Sequence, residues 1–104
     1  MHWIIVTNDK EGAGELRAAT REAHRTYIWR TDLSARLLLG APLTADDGTT
    51  GIGSWLLVEA PDRTAVEAFV AKDPYVLAGL PARIGITALH NGFDASRINP
   101  RSTG

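Results

Sequence analysis

The stretch Lys72-Asp73-Pro74-Tyr75-Val76-Leu77-Ala78-Gly79-Leu80 decides how the chain is organised. Pro74 has no backbone donor and drives the residue before it out of helical torsions, so a helix arriving from the N-terminal side ends at or before Asp73. A short apolar turn follows and delivers a final strand. Asp73 is thereby left at the carbonyl end of a helix, where the dipole disfavours an anion that has no cationic partner. Either Asp73 only shapes the turn, as Asp often does, or it is paired with a basic group elsewhere. His24 and Arg21 are the candidates.

Working back from this stretch, Val66, Phe69 and Val70 form the apolar stripe of the helix that Asp73-Pro74 closes. Pro61-Asp62-Arg63-Thr64 opens it, with Asp62 or Thr64 as N-cap and capping-box spacing between Thr64 and Glu67. The run before it, Ser54–Ala60, is almost continuously apolar and reads as a central strand. Ala35–Gly40 is a second strand. Residues 41 to 53 carry Pro42, Asp46-Asp47-Gly48 and two further glycines without periodicity, which predicts a mobile hairpin connection leaning over a pocket. In that connection no P-loop or EF-hand spacing is present.

Trp3–Thr7 is a strand apolar on both faces, followed by a polar loop from Asn8 to Gly14. From Glu15 to about Trp29 the spacing is helical, with Leu16, Ala19, Ala23 and Tyr27 as the expected buried stripe. Arg21 and His24 are i, i+3 neighbours at the edge of that stripe. Glu22 and Arg25 are expected on the outer face. A histidine so placed is either an ordinary surface residue or one whose ring reaches a cleft. On the C-terminal side, Ala82–Leu89 alternates Ile84, Ile86 and Ala88 with Arg83, Gly85 and Thr87, a half-exposed fourth strand.

The order is β-α-β-β-α-β, an α+β, ferredoxin-like arrangement. Right-handed crossovers put both helices on one face of a four-stranded antiparallel sheet, with the first and third strands in the middle. The other sheet face keeps apolar side chains drawn from Trp3 or Ile4, Trp55 or Leu56, Leu38 and Ile86, which predicts a homodimer packed sheet against sheet. Residues 1–90 form the expected domain and residues 91–104 a polar tail.

Composition narrows the function classes. One domain of 104 residues with net charge −1 offers no electrostatic attraction for nucleic acid or an anionic membrane. The absence of cysteine excludes disulfides and thiolate chemistry. No apolar run approaches the roughly 20 residues of a membrane span, and the N-terminus is strand-like rather than a signal peptide. A cytoplasmic protein is expected. His2, His24 and His90 lack metal-site spacing, no Gly-rich motif marks a nucleotide, and no Ser or Cys sits in a nucleophile elbow. Neither metal nor cofactor is therefore expected.

Arg21-Glu22-Ala23-His24, Gly40-Ala41-Pro42, the capped second helix and, above all, Asp73-Pro74-Tyr75 with Gly79 resemble the YciI-related (YCII-domain) family. The resemblance runs from about Trp3 to Leu89. It departs in a longer, more polar tail and in Thr7, where many relatives carry an aromatic. It implies a subunit of the dimeric α/β-barrel type with a His–Asp cleft suggested to be an active site. By position the pair would be His24 and Asp73, with Arg21 and Tyr75 lining the pocket. The expectation is cofactor-free proton transfer, isomerisation or elimination, on a small polar or aromatic molecule. The alternative is a non-catalytic small-ligand-binding or regulatory module, since this fold hosts many binders.

Overall fold

The computed structural model describes residues 1–98. The chain runs β1 (His2–Asp9), α1 (Gly14–Ile28), β2 (Arg36–Thr44), β3 (Gly51–Glu59), α2 (Arg63–Ala71), α3 (Pro74–Leu77) and β4 (Pro81–Ala88). The strands form one antiparallel sheet in the order β2-β3-β1-β4, with β1 and β3 central as their unbroken apolar runs require. This is the α+β, ferredoxin-like arrangement.

Cross-strand register sorts the side chains. Trp3 stands opposite Val58 and Ile5 opposite Leu56, on the face covered by the helices. With Tyr27, Ile28, Leu37, Val66, Phe69 and Val70 they make the core. Val58 and Val66 are fully enclosed there. The polar handles of the core aromatics are satisfied locally. The Trp3 indole donates to the Ala60 carbonyl at 3.2 Å, and the Tyr27 hydroxyl donates to the Phe69 carbonyl at 2.6 Å. The latter bond takes up an acceptor that the last turn of α2 cannot use itself.

On the other face Ile4 pairs with Leu57, Val6 and Ala41 flank Trp55, and Leu39 stands beside Leu57. The apolar set there is thus Ile4, Trp55, Leu57 and Leu39. Trp3, Leu56 and Ile86, which were candidates for it, belong to the helix-covered side.

Three local expectations need correction, and one open choice is settled. The hairpin connection expected over 41–53 is present but shorter and tighter than expected: β2 continues to Thr44 and β3 starts at Gly51. The Asp47 carboxylate accepts from the Thr49 and Thr50 amides, which ties the tip into a tight hairpin. Pro42 is tolerated because β2 is an edge strand. The stripe of α1 is rotated: Leu16, Ala19 and Ala23 are exposed, whereas His24, Tyr27 and Ile28 are buried and Arg17 and Thr20 half-buried. Alanines gain little from burial, so the helix settles on the face whose polar groups find partners. Asp62, not Thr64, caps α2, accepting from the Ala65 amide at 2.9 Å. Finally, the apolar turn after Asp73 is itself one helical turn, α3.

The tail expected from residue 91 falls partly outside the described residues. Within them, the Phe93 ring packs edge-on against His2 with centroids 5.2 Å apart.

Candidate functional site

The Asp73-Pro74 stop works at two helix ends at once. Lys72 caps α2, while Asp73 is the N-cap of α3 with Pro74 at its first position. The Asp73 side chain accepts from the Tyr75 amide at 2.9 Å. Its charge therefore lies at the donor end of a helical turn as well as at the acceptor end of α2, which lifts the electrostatic conflict inferred from α2 alone. The turn is closed by a Schellman motif: the Gly79 amide donates to Val76 and the Leu80 amide to Tyr75, with Gly79 at φ +76° where a side chain would be strained.

This geometry holds Asp73 and Tyr75 towards α1. His24 Nδ1 lies 2.7 Å from Asp73 Oδ1, with both side chains about nine-tenths buried. The Tyr75 ring stacks on the imidazole at 3.9 Å between centroids, 19° from parallel. One ring nitrogen is thus committed to a carboxylate and the ring plane is fixed from the side, leaving Nε2 for the cleft that His24 lines.

The sequence reading missed Arg17, which ties the rest together. Its Nε donates to Asp9 Oδ2 at 2.7 Å, Nη1 to the Tyr75 hydroxyl at 3.1 Å, and Nη2 to Ser54 Oγ at 3.0 Å and to the Gly53 carbonyl. Gly51 leaves room for this side chain, because a Cβ there would lie 2.9 Å from Arg17 Cδ. Four residues from three elements converge on one guanidinium, so local spacing gave no hint of its role. Burial raises the Tyr75 hydroxyl pKa, partly offset by the charge and hydrogen bond of Arg17 and by the charge of Arg21. The phenol stays protonated at neutral pH.

The cleft itself has a volume of about 300 Å³, at the small end of ligand sites, which run roughly 300–1,000 Å³. One wall is α1, from Arg17 through Arg21, His24 and Arg25 to Ile28, with Trp29 just beyond. The other is built by Gly40, Ala41 and Pro42 of β2 and by Ser54 and Leu56 of β3, with Tyr75 alongside. Of the expected site residues, His24, Asp73 and Tyr75 are in mutual contact. Arg21 is exposed on the rim of the same cleft. Arg25, expected on the outer face, joins it because of the rotated stripe. Among the described residues, no group of three or more His, Asp or Glu side chains is arranged to hold a metal ion.

The fold and this cleft define a ferredoxin-like domain with a small-molecule-sized pocket between its first helix and the sheet. The chain belongs to the YCII-related domain family, whose pattern it matches over residues 1–89. It is 31% identical over 98 residues to Protein YciI of Escherichia coli O6:H1, an alignment covering 89% of this chain and 100% of that protein. An uncharacterized protein of Haemophilus influenzae is 29% identical over 89 residues, covering 81% of this chain and 91% of the relative. Among solved structures, 5-chloro-2-hydroxyhydroquinone dehydrochlorinase (TftG) from Burkholderia phenoliruptrix AC1100, in complex with 2,5-dihydroxybenzoquinone, superposes with a TM-score of 0.76. It is 28% identical, and the match covers 88% of this chain and 96% of that one.

Proposed function

We propose that the protein is a small-molecule enzyme in which His24 acts as general base and then general acid, oriented by Asp73. The observation that carries this reading is the buried 2.7 Å contact between His24 Nδ1 and Asp73 Oδ1 at the wall of the cleft. A carboxylate on Nδ1 fixes the tautomer that leaves Nε2 free to accept, and it stabilises the imidazolium formed on proton transfer. In an elimination, Nε2 takes a proton from a substrate O–H or C–H, the released electron pair forms a new double bond, and the leaving group departs with its own pair. In an isomerisation the same proton returns at a different atom. Tyr75 and Arg21 bind substrate, Tyr75 also holding the imidazole plane. The dehydrochlorinase neighbour supports chemistry of this type.

The assembly that fits is a homodimer packed sheet on sheet, covering Ile4, Val6, Trp55 and Leu39. No helix among the described residues is long and apolar enough to cross a membrane, and we place the protein in the cytoplasm.

The test is chloride release from 5-chloro-2-hydroxyhydroquinone and related halogenated hydroquinols, with solvent-deuterium exchange into non-halogenated ones. Wild type should turn over at least one compound, and His24→Asn should lose about 10²- to 10⁴-fold in rate. An unchanged rate in His24→Asn removes that residue from the mechanism. Binding without turnover of any of these compounds assigns the cleft to a ligand-binding module instead.

A further inference from the structure

Four basic side chains, Arg17, Arg21, His24 and Arg25, line the cleft, and no carboxylate does. This is a local concentration of positive charge in a chain whose net charge is −1. The four are not equivalent. Arg17 is neutralised by Asp9 and spends its donors on Tyr75, Ser54 and Gly53. His24 is held by Asp73 behind it. Arg21 and Arg25 have neither a hydrogen bond nor an ion pair with any described residue. Glu22, which shares their helix, engages neither.

Arg17, Arg21 and Arg25 follow one another at i, i+4, so their side chains form a single row along the cleft wall. Like charges at this spacing repel and destabilise a helix. Ile28, Leu56 and Pro42 line the same cleft with hydrocarbon, which strengthens whatever charge interaction forms there. A neutral ligand gains less from two unpaired guanidinium groups than an anion does. A flat oxyanion gains paired hydrogen bonds in the geometry that arginine suits best.

We propose that the cleft selects a small planar oxyanion, a carboxylate or an acidic hydroxyquinone, and that Arg21 and Arg25 are the clamp that holds it. Arg21 lies about one helical turn before His24 and Arg25 directly follows it, so the anionic oxygens are held at the rim while the ring reaches inward towards Nε2. Arg17 is a positioning residue and makes no bond to the ligand. This deepens the enzyme reading above and rests on its assignment of the cleft as a small-molecule site.

Calorimetric titration tests it with two probe sets: benzoate against its neutral isostere benzamide, and 2,5-dihydroxybenzoquinone. Wild type should bind benzoate at least 10-fold more tightly than benzamide. Arg21→Gln and Arg25→Gln should each weaken 2,5-dihydroxybenzoquinone at least 10-fold and abolish the benzoate preference. Arg25→Lys should recover part of the loss. Both arginines are exposed, so circular dichroism should be unchanged in the variants. His24→Asn should still bind 2,5-dihydroxybenzoquinone within a few-fold, which separates the clamp from the proton-transfer chemistry. Equal binding of benzoate and benzamide, affinities unmoved by the two glutamine variants, or no binding of any probe overturns the clamp. A His24→Asn protein that retains turnover overturns only the mechanism.

Discussion

The two long helices cover the same face of one sheet and hold to it by different means. Helix α2 buries Val66, Phe69 and Val70, hydrocarbon against hydrocarbon. Helix α1 buries hydrocarbon only in its last turn, at Tyr27 and Ile28. Over its first three turns the inward groups are Arg17, Thr20 and His24, and contact with the rest of the molecule runs through directional bonds. A hydrophobic interface closes completely because any gap forfeits dispersion contacts. An interface of fixed hydrogen bonds can stay partly open at little cost, since its energy sits in a few pairs. The cleft exists where α1 is bonded rather than packed.

The contrast is sharpest between Phe69 and Arg17. Phe69→Ala should cost about 3–5 kcal/mol in urea denaturation, the usual toll for a buried aromatic. Arg17→Leu should cost a similar 3–5 kcal/mol, because Asp9, whose side chain is only 7% exposed, is left as an uncompensated buried charge. The two losses differ in how they are repaired. Adding Asp9→Leu to Arg17→Leu should restore much of the stability, whereas no second polar substitution repairs Phe69→Ala. A double variant as weak as the single one would mean that α1 is packed after all.

A smaller effect tests the rotation of α1. Leu16→Ser should change stability by no more than about 0.5 kcal/mol, since Leu16 is 39% exposed. A loss of 2 kcal/mol or more, within the range of about 2–5 for removing a core leucine, would put Leu16 back in the core and turn Arg25 away from the cleft.

The smallest effect concerns the β2–β3 hairpin, whose strands form the wall facing α1. Hydrogen bonds from Thr50 and Thr49 lower the Asp47 pKa to about 2. The unfolded reference is about 3.9, so the folded value is depressed. The contribution is complete above the unfolded value and is lost as pH falls through the folded one. Asp47→Ala should remove only that part of the acid dependence, with the hairpin amides of Thr49 and Thr50 losing protection. An NMR titration midpoint for Asp47 near 3.9 would show that its turn bonds do not persist in solution.

Much of this molecule was legible from residue order. Alternation and unbroken apolar runs place β1 and β3 centrally, Asp73-Pro74 ends α2, and the βαββαβ sequence leaves few right-handed topologies. His24 and Asp73 were both singled out, because a proline stop and a lone helical histidine are local signals. The row Arg17, Arg21, Arg25 was also visible as an i, i+4 repeat, yet apolar spacing assigned the inward face to Leu16, Ala19 and Ala23. That assignment fails because periodicity weighs hydrocarbon alone, while a buried arginine is decided by partners far away in sequence.

Sequence by itself thus determined the strand pattern, the helix stops and the presence of a carboxylate beside a proline, each being a consequence of backbone sterics or of burial with a short period. Tertiary structure alone decided the rotation of α1, the meeting of Asp9, Ser54, Gly53 and Tyr75 at Arg17, and the exposure of Arg21 and Arg25 to one cleft. Those outcomes depend on bonds between groups up to 58 residues apart, and no local propensity encodes the angle at which a helix must lie for all of them to form together.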